Sequence, residues 1–368
     1  MKQIETDLAN LRDRGLYRKL VQNEGIDFAS NDFLGLSRSP KIRAALMEFL
    51  QGGGPLGATG SRLISGETRD IGDMEESIAA IFQSPSALFF GSGYLANIGV
   101  TGALTSSDSE FFSDEHNHAS LIDGMRLTKS KISIFRHNDL THLKALLALS
   151  HASRKIIVTE SVFSMDGDGP NPSELRAIAD ETGAFLVLDE AHATGVVGEH
   201  GLGIAHGLGF DFERTIIVHT CGKALGGYGA FVTSSHRIRK LLVNRARSFI
   251  YSTAPSPIQI EQTRAAIQQI QEEPELRKSL WRNVGQLRAR LSNAGIKVHG
   301  GHILSILIPG NDCVVRAAEQ LNRKGLFVKA IRSPTVPANT ERLRFTVKSF
   351  HTDSDLALLA DSLKEIAQ

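Results

Sequence analysis

The sequence predicts an α/β protein, with a large domain built on a mostly parallel sheet and a smaller α+β domain at its C-terminal end. Three observations carry this. Short apolar runs bounded by turn residues recur through the middle of the chain, and amphipathic helical patterns fall between several of them. From about residue 256 the texture changes to long charged helical patterns with only two further strand candidates. At 368 residues, 41% hydrophobic and 22% charged, the chain has ample material for such a core.

The elements follow in order. "MKQIETDLANLRDRGLYRKL" is charged and helix-patterned; it lacks the apolar centre of a signal peptide. The glycine-rich "QGGGPLGATGSRLISGETRD" (51–70) is a loop too long to be idle in a compact domain. Strands are expected at "ALFF" (87–90), "EFFS" (110–113), "KISIFR" (131–136), "KIIVTES" (155–161), "AFLVLDE" (184–190), "TIIVHT" (215–220) and "AFVTSS" (230–235). Between them "LTHLKALLAL" and "PSELRAIADETG" read as helices, the second opened by Pro172 and Ser173 and closed by Gly183. Beyond lie the helical "PIQIEQTRAAIQQIQ" and "ELRKSLWRNVGQLRARLSNAG", then strands "ILSILIP" and "RLRFTV", each followed by a helical segment. The implied division is an N-terminal segment 1–40, a large domain 41–255 and a small domain 256–368.

Bulk properties narrow the function. A formal net charge of +1 offers no electrostatic footprint for nucleic acid or an anionic membrane. Two cysteines, Cys221 and Cys313, argue against a disulfide framework and fit a reducing cytoplasm. No apolar stretch approaches the roughly 18 residues that span a bilayer.

Several motifs fail on their own chemistry. "LVLDEAH" (186–192) looks like an ATPase acidic box, but the phosphate loop it needs is missing: Gly222-Lys223 comes after it, is followed by Ala224, and has Ile217 at the place of the first glycine. "FFGSGYLA" sets Gly91, Gly93 and Ala96 in a degenerate dinucleotide pattern, but the acidic residue about twenty positions on has only Asp108 and Glu110 as poorly placed candidates. A glycine turn opening a helix still suits a phosphate. "MDGDGP" (165–170) begins like a calcium loop, but Ala177 stands at loop position twelve and Pro170 and Pro172 make it a turn. His116, His118, His192, His200 and His206 show no paired metal spacing.

What remains converges. A phosphate-suited helix start lies at Ser92-Gly93-Tyr94; Asp189 ends an apolar strand with His192 three residues on; Lys223 follows the next strand candidate in a glycine-rich turn, "HTCGKALGGYGAF". A pyridoxal phosphate site needs an amine for a Schiff base, a carboxylate for the pyridine nitrogen and a phosphate cup. Partial desolvation would favour the reactive neutral amine.

At these residues the chain resembles the α-oxoamine synthases, fold-type I pyridoxal-phosphate enzymes that condense an amino acid with an acyl-CoA and release carbon dioxide. The resemblance runs from "GLYRKL" to "RLRFTV" and rests on "SNDFLGLS", "FGSGYLAN", "NHASLIDG", "RHNDLTHL", "TESVFSMDGD", "LVLDEAHATGVVGEHGLG", "HTCGKALGGYGA", "FIYSTAPSP" and "AIRSPTVPANTERLRFT". It implies that Lys223 forms the Schiff base, Asp189 meets the pyridine nitrogen, His192 meets the phenolic oxygen, His118 stacks on the ring and Ser164 contacts the cofactor. Gly93, Tyr94 and Thr220 would hold the phosphate, with Thr253 reaching in from a second subunit, so a homodimer with shared active sites is expected. Arg344 and Asn31 would bind the amino acid carboxylate, with Arg18 and Thr335 on the substrate side. Ser61 before Arg62 suggests room for the methyl of L-alanine, although serine or glycine with another acyl thioester is the alternative. The short segment before "DFASNDF", Ala193 in "DEAHATG" and the pattern after Lys223 depart from the family.

Overall fold

The computed structural model describes residues 2–14 and 16–367. In chain order these form α1 (Lys2–Asp13), β1 (Ile26–Asp27), α2 (Pro40–Gln51), α3 (Arg69–Ile81), β2 (Ser86–Phe90), α4 (Gly93–Leu104), β3 (Ser109–Asp114), α5 (Ala119–Thr128) and β4 (Lys131–Phe135). Next come α6 (Leu140–Leu149), β5 (Arg154–Glu160), α7 (Pro172–Thr182), β6 (Phe185–Asp189), β7 (Thr215–Thr220), β8 (Ala230–Ser234), α8 (His236–Arg245) and α9 (Arg247–Ile250). The chain continues through α10 (Pro257–Glu272), α11 (Pro274–Asn293), β9 (His299–Gly300), β10 (Ile303–Leu307), α12 (Asn311–Arg323), β11 (Leu326–Phe327), β12 (Lys329–Ile331), β13 (Arg342–Thr346) and α13 (Asp353–Ala367).

The chain divides into two units, one of residues 31–282 with 348–350, the other of the segment up to Ser30 with 283–347 and 351–368. These limits differ from the sequence expectation at both boundaries. At the first, residues before 31 do not stand apart: β1 pairs in parallel with β11, Ile26 opposite Leu326 and Asp27 opposite Phe327. At the second, the charged texture after residue 256 hides an apolar stripe on α10, where Ile260, Ala266, Ile267 and Ile270 are buried. Ser39 Oγ donates to Gln269 Oε1 at 2.6 Å, fixing α10 beside α2 in the larger unit.

The larger unit carries a seven-stranded sheet ordered β2-β8-β7-β6-β5-β3-β4. All neighbours from β7 to β4 are parallel, and β8 lies antiparallel to both β2 and β7. Its central strands are apolar through their middles, because both faces are covered there. Leu88, Phe111, Val158 and Val218 face one core cluster with Val100 and Leu121, while Phe112, Ile157, Leu186 and Ile217 face another with Leu143 and Ile178. Local signals start and stop the helices. Asn171 accepts from the Ser173 and Glu174 N–H groups, Pro172 occupies the first turn, and Gly183 ends α7 at φ +64°. Ser256 and Gln259 close a capping box on α10. Helices α4 and α5 touch at Gly124, where a Cβ would lie 2.3 Å from Thr101 Oγ1 and 3.1 Å from Ile98 Cα.

The smaller unit holds an antiparallel sheet ordered β12-β13-β10-β9, with Arg344 of β13 opposite Ser305 and Lys329. The seven strands expected for the large sheet are all present, as are β10 and β13.

Candidate active site

In parallel sheets, functional groups gather where strands deliver them, at the carboxyl ends. Here β5 ends in Glu160, β6 in Asp189 and β7 in Thr220. Glu160 and Asp189 are register partners, with Asp189 opposite Val218 on the other side. Asp189 is 5% exposed. Its Oδ1 accepts the Ala191 N–H at 2.8 Å and its Oδ2 accepts from Asn97 Nδ2 at 2.7 Å.

Asn97 lies on α4 and is 2% exposed. Its amide nitrogen also donates to Ser120 Oγ at 2.9 Å, and that hydroxyl lies 2.8 Å from His118 Nδ1. His118 caps α5, and its backbone N–H donates to Glu160 Oε1 at 2.6 Å. A polar chain therefore links His118 through Ser120 and Asn97 to Asp189. Burial pushes the His118 imidazole down, with Asp189 opposing and Lys223 adding to the shift. Burial likewise pushes the Glu160 carboxyl up, reinforced by Asp189 and opposed by Lys223. Lys223, half-buried, thus lies within electrostatic reach of His118 and Glu160.

The phosphate end is built from α4. Ser92 caps it by accepting from the Leu95 N–H, and the first-turn N–H groups of Gly93 and Tyr94 have no intrahelical acceptor. A Cβ at Gly93 would sit 3.6 Å from Thr220 Oγ1, which places Thr220 beside this helix start. Tyr94 donates its hydroxyl to Asp123. His192 is buried, its ring edge-on to Phe33 at 6.3 Å between centroids. Ser164 is half-buried in the β5–α7 connection, and Thr253 is exposed after α9. The Ala254 N–H donates to Gly60 O at 2.9 Å, tying this segment to the 51–70 loop. Arg62 anchors that loop, pairing with the buried Glu75 on one side and the exposed Glu67 on the other.

Asn31 belongs to the larger unit and Arg18, Thr335 and Arg344 to the smaller. Arg18 and Thr335 line a single cavity of about 560 Å³ with Leu8, Leu11, Tyr17 and Arg332. Arg344 is buried on β13, which lowers its guanidinium to about 10.

Sequence reasoning missed Asn97, Ser120 and Glu160. Asn97, Ser120 and Glu160 all sit inside quoted motifs, but only the strand register and the α4–α5 contact show that they hold Asp189 and His118. The donor set fits pyridoxal phosphate: a buried carboxylate fixed by two donors for the pyridine nitrogen, an imidazole beside it, a half-buried amine, and a helix start with free N–H groups for the phosphate.

A family profile of class I and II aminotransferases matches residues 23–363. The 8-amino-7-oxononanoate synthase of Lysinibacillus sphaericus is 38% identical over 378 residues, covering 98% of this chain and 97% of its own. The chain belongs to the α-oxoamine synthases of this aminotransferase family. A second relative, the 8-amino-7-oxononanoate synthase of Anaeromyxobacter dehalogenans strain 2CP-1, is 40% identical, covering 93% of this chain and 87% of its own. Among solved structures, a serine palmitoyltransferase from S. paucimobilis with bound PLP-myriocin superposes at TM-score 0.89 and 25% identity, covering 99% of this chain and 96% of that one. The Francisella tularensis 8-amino-7-oxononanoate synthase superposes at 0.80 and 26%, covering 93% and 98%. As an α-oxoamine synthase the chain is an enzyme with pyridoxal phosphate as its cofactor. Among the described residues no helix is long and apolar enough to cross a membrane.

Proposed function

We propose that this α-oxoamine synthase condenses L-alanine with a pimeloyl-type acyl thioester, giving 8-amino-7-oxononanoate, the free thiol and carbon dioxide, the product named for its relatives. The single observation that carries the chemistry is the buried Asp189 carboxylate, held by Asn97 and the Ala191 N–H next to the His118 and Lys223 side chains. Identity of about two residues in five with two named synthases supports the substrate choice.

Bound pyridoxal phosphate supplies an electron sink for a carbanion at the substrate's α-carbon. The chain's residues do the rest. Asp189, aimed by its two donors, would meet the pyridine nitrogen. His118, His192 and Ser164 would hold the cofactor's ring, its phenolic oxygen and a further edge respectively. Gly93, Tyr94 and Thr220 would hold the phosphate, with Thr253 contributed by a second subunit of a homodimer. Arg344 and Asn31 take the amino acid carboxylate, and Arg18 and Thr335 lie on the acyl side. Lys223 Nζ removes the α-proton as general base and later returns one.

The test is the visible spectrum of cofactor-loaded protein titrated with L-alanine, L-serine and glycine, with mass spectrometry of the product formed from pimeloyl thioesters. A band shift at the lowest concentration with L-alanine supports the proposal; preference for serine or glycine overturns the substrate and leaves the cofactor chemistry. Lys223→Ala is expected to slow deuterium exchange at the alanine α-carbon by about 10²–10⁴-fold. Undiminished exchange would remove Lys223 from its role.

A further inference from the structure

Spacing alone gave the histidines no metal set, but the fold gathers His116, together with His137 of "RHNDLTHL", with the aspartates of "MDGDGP". β5, β3 and β4 are adjacent parallel strands. The connections after them carry Asp166 with Asp168, His116, and His137 respectively. Donor atoms of His116, His137 and Asp166 all lie within 4.8 Å of one another. The His116 and His137 rings stack with centroids 4.1 Å apart and planes at 28°. From the geometry we infer a site for one divalent transition cation of the zinc type, held by His116, His137, Asp166 and Asp168.

The outer support is already in place. Asp114 at the end of β3 is 1% exposed, and its carboxylate accepts the His116 and Asn138 N–H groups at 2.8 Å each. The same carboxylate lies 2.9 Å from His137 Nδ1. That contact fixes the tautomer and aims Nε2 outward, the carboxylate–histidine arrangement that orients metal-bound imidazoles. Nε2 lies 3.1 and 3.3 Å from the two Asp168 oxygens. Donors bound at 2.0–2.1 Å around a tetrahedral zinc stand roughly 3.3 Å apart, so His137 and Asp168 already have the spacing of neighbouring ligands. The donor atoms of His116, His137 and Asp166 lie within 4.8 Å of one another, so joining the site takes a shift of up to about 1.5 Å and a rotation of the His116 ring out of its stack on His137. Two imidazoles and two carboxylates suit a borderline ion better than calcium or magnesium.

On binding, zinc displaces to solvent the proton that His137 Nε2 shares with Asp168, and no electron changes hands. The bound ion would clasp three strand-end connections, one of which continues into His118 and another of which contains Ser164.

The test uses chelator-treated holoenzyme dialysed against zinc, with metal content by mass spectrometry and imidazole count by X-ray absorption. The expected result is about one zinc per chain with two imidazole nitrogens, and binding weakened at least about tenfold in His116→Ala and in Asp166→Asn, with the cofactor spectrum intact. No retained zinc, a zinc site without imidazole, or equal zinc in the double variant overturns the proposal. The last outcome would locate the metal on the cofactor, and a histidine–aspartate bridge without a cation would remain.

Discussion

Replacing Asn97 by leucine, close in volume and without polar atoms, tests the support of Asp189 directly. The substitution removes the 2.7 Å bond to the carboxylate and the 2.9 Å bond to Ser120 Oγ. A hydrogen bond to a charged group contributes about 2 kcal/mol and a neutral one about 1. The buried Asn97 Oδ1 has no partner among the described residues, so its removal relieves about 1 kcal/mol. The net loss is about 2 kcal/mol, or roughly 4 °C in the melting midpoint of a unit this large. Asp189 keeps the Ala191 N–H but can swing, so pyridoxal phosphate affinity is expected to fall about tenfold, equivalent to about 1.4 kcal/mol. Calorimetry of the apoprotein and a spectroscopic cofactor titration read the two effects separately. A cycle with Asp189→Asn should return a coupling of at least about 1 kcal/mol. If the midpoint stays within about 1 °C and cofactor affinity within about twofold, the carboxylate is held by something other than Asn97.

Two further outcomes are expected. Gly124→Ala drives a methyl to 2.3 Å from Thr101 Oγ1 and 3.1 Å from the α4 backbone, so thermal melts should show a loss of about 1–3 kcal/mol, the usual cost of overpacking. Glu190, 0% exposed, has its carboxyl pushed up to about 8 by burial. Because its folded value is raised above the unfolded one, the native state binds the extra proton between about pH 4.5 and 8, and stability falls as pH rises through that window. Glu190→Gln should flatten the profile by up to about 1.4 kcal/mol per pH unit; parallel profiles in denaturant titrations would contradict this.

The large sheet was legible because its strands are continuous apolar runs between turn residues. The two- and three-residue strands β1, β9, β11 and β12 are too short to show a period. Strand order was not legible either: nothing local in "AFVTSS" says that β8 runs antiparallel between β2 and β7. At the site, Lys223 and Asp189 stood out because an amine among glycines and an acid after an apolar run are locally unusual. Asn97 reads as a neutral residue in a helix, and Glu160 as a polar strand end. Their roles arise from register and from the closeness of α4 to α5 that Gly124 permits. The domain limits failed where composition and packing part company, in α10 and in the residues before 31.

The pairing of Ile26 with Leu326 joins positions three hundred apart in the chain. During synthesis at 5–20 residues per second, the first segment must wait roughly 15–60 s for the strand it will lie beside. The larger unit's sheet, by contrast, is finished once β8 has emerged. A product cut short before residue 326 would leave β1 with an open edge at its leading end. The Ile26–Asp27 strand can be completed only by residues 326 and 327, so its settling is a sign that these have already been made.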